Sequence, residues 1–225
     1  MKLSHLPNMK LVIFDFDGTI ADTSPGILDS HKYALKAMGR TVPPEAELRK
    51  VIGGNLLKIY IEKFGFEEEQ AREAVRIYRE RYAEVGIHIA TLYPGFKEML
   101  EELKQAGYKI GIATLKAESF AKIMVQEMGI AEYFDEICGM DPNDGLDKAG
   151  LILKCCDLCS CDKKDAILVG DSNNDLLGSQ QAGVNFVGVT YGFGFKPNED
   201  YEFITVDKPS KLVDLLKLGL VFNLS

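Results

Sequence analysis

No apolar run in the chain reaches the length needed to cross a bilayer, and the opening stretch "MKLSHLPNMK" lacks the apolar core of a signal peptide. The expectation is a cytoplasmic protein with no membrane partner. Basic charge is also in short supply: 26 lysines and arginines stand against 34 aspartates and glutamates, a net charge of -8. That balance disfavours non-specific binding to nucleic acid or anionic lipid. Low-complexity tracts and internal repeats are absent, which leaves an ordinary globular composition, 46% hydrophobic and 27% charged. The length of 225 residues suits one large domain or a core carrying a smaller insertion, as a monomer or a homodimer.

Cysteine is sparse and odd in number, and the cluster "CCDLCSC" does not read as the framework of a secreted scaffold. Cys155, Cys156, Cys159 and Cys161 invite a zinc reading, since Cys156 and Cys159 have C-x-x-C spacing. The segment "KAGLILKCCDLCS" has helical periodicity, however, and one helix rarely surrounds a tetrahedral ion with four of its own residues. Small core-facing thiols are the preferred reading.

What the chain does have is a series of apolar runs, "KLVIFDF", "YKIGIAT", "DAILVGD" and "NFVGVTY", with weaker ones at "EICGM" and "EFITV". Helical spacing separates them over Phe96–Gln105, Ala117–Met128, Lys148–Leu158, Asn173–Ala182 and Ser210–Leu216. The alternation predicts a doubly wound, Rossmann-like α/β core with a parallel sheet. Between Asp22 and Thr91 helix signals occur almost alone: "SPGILDSHKYALKAM" opens on Ser24 and Pro25, and "EEEQAREAVRIYRERYAEV" is a charged amphipathic helix. We therefore expect a core of residues 1–21 and 92–225, with an all-helical insertion over 22–91 after the first strand. Such an insertion reads equally as a mobile lid or as a rigid packed subdomain.

The first run ends in acid. Asp15 and Asp17 alternate onto one side of a buried strand, and Gly18 allows a sharp turn. Two close carboxylates raise each other's pKa unless a cation answers them, so the pair suggests a metal site, an acid–base pair, or both. A calcium loop counted from Asp15 fails, because Ile20 falls where glycine is needed and Gly26 where glutamate is needed. A second buried strand ends in "GDSNND", with Asp171 at its end and Asp175 four residues on. In a parallel sheet these strand ends share one edge, so Asp171 can meet Asp15 in a hard oxygen site of the kind Mg²⁺ prefers. Taken alone, "GDSNND" reads equally as a helix cap. Thr114 ends the strand "GIAT" before a helix start suited to phosphate, and Lys148 begins a later helix; alone, a cap and a solvated lysine are the ordinary readings of these two.

Together, "DFDGT", Thr114, Lys148 and "GDSNND" resemble, in order and spacing, the four-motif signature of the haloacid dehalogenase superfamily, over nearly the whole chain. The insertion resembles the helical cap of the branch holding phosphoglycolate phosphatases and β-phosphoglucomutases, and "ADTSPGI" with "LYPGFKEMLEELKQAGYKIGIAT" is most similar to the phosphatase side. Leu115 stands where the family often has Asn or Ser, and Ala149 where it often has Pro. The resemblance implies that Asp15 attacks phosphorus, that Asp17 serves as acid and then base, and that Thr114 and Lys148 hold phosphoryl oxygens and charge. It implies Mg²⁺ at Asp15, Asp17 and Asp171, bound in part through the carbonyl of Phe16 or Asp17, with Asp175 in support. The implied function is hydrolysis of a small phosphorylated metabolite, phosphoglycolate foremost. A sugar phosphomutase and a non-catalytic phosphometabolite-binding protein are the alternatives. In the insertion, "RKVIGGNLLKIY" offers Arg49, Gly53, Gly54, Asn55 and Lys58 as substrate contacts or as a plain interhelical turn. Lys116 reads as a site residue or a helix cap. "GVTYGFGF" reads as a turn, since no helix start follows its G-x-G in the right place.

Overall fold

The computed structural model describes residues 4–5, 9–141, 145–217 and 220–221; the outer ends of the expected core domain fall outside them. The chain divides into two compact units, one of residues 1–22 and 92–225 and one of residues 23–91. The first is built on a six-stranded sheet: β1 (Leu11–Phe14), β2 (Lys109–Ala117), β3 (Glu136–Met140), β4 (Ala166–Gly170), β5 (Asn185–Val189) and β6 (Thr205–Val206). Their order is β3-β2-β1-β4-β5-β6 and every pairing is parallel. All four residues of β1 and all five of β4 are buried, as apolar runs without polar alternation require of strands covered on both faces.

Strand order reverses at β1. Leu11 lies opposite both Lys109 of β2 and Ala166 of β4, so the chain proceeds outward from β1 in both directions. A doubly wound sheet binds its ligands at the carboxyl edge beside such a reversal. The residues at the carboxyl ends of β1, β2 and β4 therefore line that edge.

The second unit is helical: α1 (Ser24–Ala37), α2 (Glu45–Arg49), α3 (Leu56–Glu62) and α4 (Glu68–Glu84). Pro25 at the first turn of α1 supplies a preset φ where no amide partner is needed. At the centre of the unit His31 is buried, with its Nδ1 3.3 Å from the Tyr60 hydroxyl and its ring centroid 4.6 Å from that of Tyr78. Burial holds this imidazole down at about 4. Because the folded value lies below the unfolded value of 6.5, the contribution is intact above pH 6.5 and is lost as pH falls toward 4. The expected loss approaches about 3 kcal/mol. His31→Phe should flatten the difference in urea stability between pH 7 and pH 4.5; an unchanged slope would show that His31 does not carry it.

Core helices α5 (Phe96–Gln105), α6 (Glu118–Glu127), α7 (Lys148–Leu158), α8 (Asn173–Ala182) and α9 (Ser210–Lys217) follow the helical spacing of the sequence to within a residue at each end. The α7 cysteines join the apolar cluster between helix and sheet: Cys155 and Cys156 are buried with Leu151, Ile152 and Leu168. All five cysteines are free. Gly111 lets Cys155 pack this close, since a β-carbon there would overlap the Sγ atom.

Candidate active site

Strand β1 stops at Phe14, one residue short of the first aspartate. The Asp15 amide still donates to Val169 O at 2.9 Å, which fixes its backbone beside β4. Beyond it the chain folds tightly: the amides of Thr19, Ile20 and Ala21 all donate to Phe16 O, and Gly18 adopts φ +83°. A β-carbon on Gly18 would both strain that backbone and overlap Oδ2 of Asp171. The glycine therefore lets the turn and the second aspartate approach each other.

Lys148 ties the site together. Its Nζ donates to Asp15 Oδ1 at 2.6 Å and to Ala113 O at 2.7 Å, and pairs with Asp175 Oδ1 at 2.7 Å. Three donors thus meet three acceptors, as a buried ammonium demands. Its stem lies against Gly178 of α8, where any β-carbon would overlap it. Burial alone would lower the lysine's pKa, but the two carboxylates raise it above the ordinary value. Burial pushes Asp15 up to about 6 despite the pull of that ammonium.

Asp171 follows β4 directly. Its Oδ2 accepts the Phe193 amide at 2.6 Å and the Gly194 amide at 3.2 Å. Burial, then the charges of Asp15 and Asp175, push its carboxyl up to about 7 against those two amides. The cap reading of "GDSNND" is realised at Ser172, whose amide and hydroxyl donate to Asp175 Oδ2 at 3.0 and 2.6 Å at the start of α8, while Asp171 lies beside Asp15 and Asp175.

One oxygen each from Asp15, Asp171 and Asp175 lies within 4.8 Å of the others, and all three residues are buried. These donors fit a hard dication in two respects. They are all carboxylate oxygens, and three carboxylates against the single Lys148 ammonium leave two negative charges in excess. Burial is the first cause of the upward shifts of Asp15 and Asp171, and the neighbouring carboxylates add to it.

The Asp17 carboxylate lies outside this oxygen cluster, because strand alternation ends with β1; its Oδ1 pairs instead with Lys116 Nζ at 2.9 Å. Asp175, expected in a supporting place, is among the clustered oxygens while also holding Lys148. Phe16 O is engaged by the turn amides. Thr114, expected to end its strand just before a helix start, lies inside β2, which continues to Ala117 past an irregularity in its register with β3, and α6 begins only at Glu118; Thr114 is buried and its Oγ1 accepts the Lys116 amide at 3.2 Å. Of the segment "GVTYGFGF", read as a turn, Gly188 and Val189 close β5 and the residues from Thr190 to Phe195 form a bent stretch, which also grips Asp171 and sends the Tyr191 hydroxyl to Thr19 O at 3.1 Å. The density of glycine there was the signal: a β-carbon on Gly192 would overlap Gly18 O and Asp171.

Arg49, Gly53, Gly54 and Asn55 belong to the helical unit. There Asn55 caps α3 by accepting the Lys58 amide at 3.1 Å, and Gly53 turns with φ +80°. The Arg49 guanidinium is half exposed and pairs with Glu45 at 3.1 Å.

A family model described as haloacid dehalogenase-like hydrolase matches residues 12–189. A 5'-nucleotidase of Pseudomonas aeruginosa is 35% identical over 185 residues, covering 81% of this chain and 83% of that protein. A phosphoglycolate phosphatase of Vibrio cholerae is 30% identical over 217 residues, covering 90% of this chain and 95% of its own. Among solved structures, a haloacid dehalogenase-like family hydrolase from Streptococcus pneumoniae is similar with a TM-score of 0.84 at 31% identity, covering 92% of this chain and 98% of that one.

Proposed function

We propose that this chain, which belongs to the haloacid dehalogenase-like hydrolase family and is a hydrolase of phosphoric monoesters, cleaves a small anionic phosphate ester through an aspartyl phosphate on Asp15. Phosphoglycolate is the first substrate to test. The observation that carries the reading is the buried contact of Lys148 with Asp15 at 2.6 Å, inside a cluster of carboxylates with charge to spare. A carboxylate repels a phosphoryl group unless cations stand among them.

Asp15 attacks phosphorus and the bond from phosphorus to the alcohol oxygen breaks. Asp17 gives that oxygen its proton, then takes one from water, which attacks phosphorus and releases phosphate from Asp15. Lys148 fixes the rotation of the Asp15 carboxylate and offsets its charge. Thr114 and neighbouring amides hold non-bridging oxygens. Asp15, Asp171 and the Asp17 carbonyl would hold Mg²⁺, with Asp175 in support through its contact with Lys148; when bound, the ion would neutralise charge that develops on the phosphoryl group. We assign substrate choice to the helical unit, through Arg49, Gly53, Gly54 and Asn55.

The test is hydrolysis of a panel of phosphomonoesters with Mg²⁺ and after chelation. Phosphoglycolate should be turned over well, with phosphate and alcohol in equal amounts, and chelation should reduce activity by about 100-fold or more. Full activity after exhaustive chelation would overturn the metal assignment. The likeness to a 5'-nucleotidase brings nucleoside 5'-monophosphates into the panel. Faster turnover of those would move the substrate to that class, and release that waits on an added sugar phosphate would replace hydrolysis by transfer.

A further inference from the structure

The steps above use Lys148 but leave a second buried lysine without a task. Lys116 lies near the end of β2, where the register against β3 shifts between Ala113 and Ala117. Irregularities of this kind redirect side chains beside functional sites. Thr114 and Lys116 are turned inward and Leu115 between them is exposed. The Lys116 side chain is only 5% exposed, its ammonium lies 5.6 Å over the Phe16 ring, and it meets Asp17 Oδ1 at 2.9 Å. Apart from that ion pair, Oδ1 of Asp17 is buried with no hydrogen-bond partner among the described residues. The two lysines thus divide the carboxylates, Lys148 taking Asp15 and Asp175 and Lys116 taking Asp17.

We propose that Lys116 is a positioning residue for Asp17, holding its carboxylate out of the Asp15–Asp171–Asp175 cluster so that it stays a separate acid–base group. A rotation about the Asp17 side chain would otherwise let a fourth carboxylate oxygen join the cluster, where it could serve no proton transfer to the leaving alcohol. This inference rests on the reading of Asp17 as the acid and base of the reaction. It assigns Lys116 no contact with substrate.

The experiment compares an alkyl phosphate, whose leaving group needs a proton, with para-nitrophenyl phosphate, whose leaving group needs little. Wild type, Asp17→Asn, Lys116→Met and the double variant are assayed, with circular dichroism confirming the fold and Lys116→Gln replacing Lys116→Met if the latter does not fold. Lys116→Met should slow single-turnover cleavage of the alkyl ester by about 30-fold or more while that of the nitrophenyl ester stays within about threefold. On the alkyl ester the double variant should be no slower than Asp17→Asn alone, since both changes remove one function. Equal losses on the two esters, or a loss in the double variant that multiplies the two single ones, would overturn the proposal and make Lys116 a binding or packing residue. If Asp17→Asn itself slows both esters equally, the acid–base reading of Asp17 falls and the positioning role with it, and that single variant identifies which of the two failed.

Discussion

Asp15→Asn should lower turnover of every phosphomonoester by about 10⁴-fold or more while leaving the chain folded. An amide of the same shape keeps the packing but cannot form the phosphoenzyme. The backbone of residue 15 is held independently of its side chain, through the bond from its amide to Val169 O at 2.9 Å. Lys148 would also remain partnered, because Asp175 Oδ1 and Ala113 O each lie 2.7 Å from its Nζ. Removing one carboxylate from a cluster with excess negative charge relieves repulsion on Asp171, so the metal-free variant should be at least as stable as the parent at pH 8. The checks are single-turnover phosphate release and thermal unfolding in chelator. Activity within about tenfold of the parent would remove Asp15 from the nucleophile's place.

The features legible in the sequence are those governed by short-range pattern. Unbroken apolar runs that end in aspartate mark strands covered on both faces, and β1 and β4 do lead into Asp15 and Asp171. Helices α5, α7 and α8 have the limits that apolar spacing and their caps dictate, with Asp147 accepting the Gly150 amide at the start of α7. The "EFITV" run was less informative: only Thr205 and Val206 pair, at the sheet's outer edge, where one neighbour supports a strand in place of two.

What the pattern does not carry is direction after a strand has ended. Period-two alternation places Asp15 and Asp17 on one side, but it governs only paired backbone, and β1 stops at Phe14. Past that point the turn at Gly18 and the distant Lys116 decide where Asp17 points. The hold of Phe193 and Gly194 on Asp171 joins segments 22 and 23 residues apart, and no local rule connects them. Asp175 has the same ambiguity from its position: four residues after Asp171 it both closes the cap of α8 and faces Lys148 from a helix remote in sequence. The roles given to these groups in catalysis come from the family resemblance and from this geometry together, with neither the spacing nor the periodicity able to supply them.

Lys148→Met should lower turnover by about 1,000-fold or more and cost stability in a manner that depends on pH. In the parent, burial opposes the lysine's charge but Asp15 and Asp175 raise its pKa above the ordinary 10.5, so the ammonium persists at every pH below that value; its pairing with Asp15 is present once that carboxyl ionises above about 6 and is lost again only as pH rises through the higher folded value of the lysine. Methionine fills similar space and removes the charge. Asp15, already pushed to about 6 with the ammonium in place, must then rise further. A carboxylate whose folded pKa exceeds its unfolded 3.8 binds its proton more readily in the folded state, so stability falls as pH climbs from about 4 toward that raised value. The deficit of the variant should therefore be small near pH 4 and reach about 3–5 kcal/mol near pH 8, the usual cost of stranding a buried charge. Urea unfolding in chelator at the two pH values measures it, and Asp175→Asn added to Lys148→Met should recover part of the loss at pH 8 by removing one stranded carboxylate. A deficit equal at both pH values would mean that the lysine contributes packing alone, and the charge balance assigned to the site would be wrong.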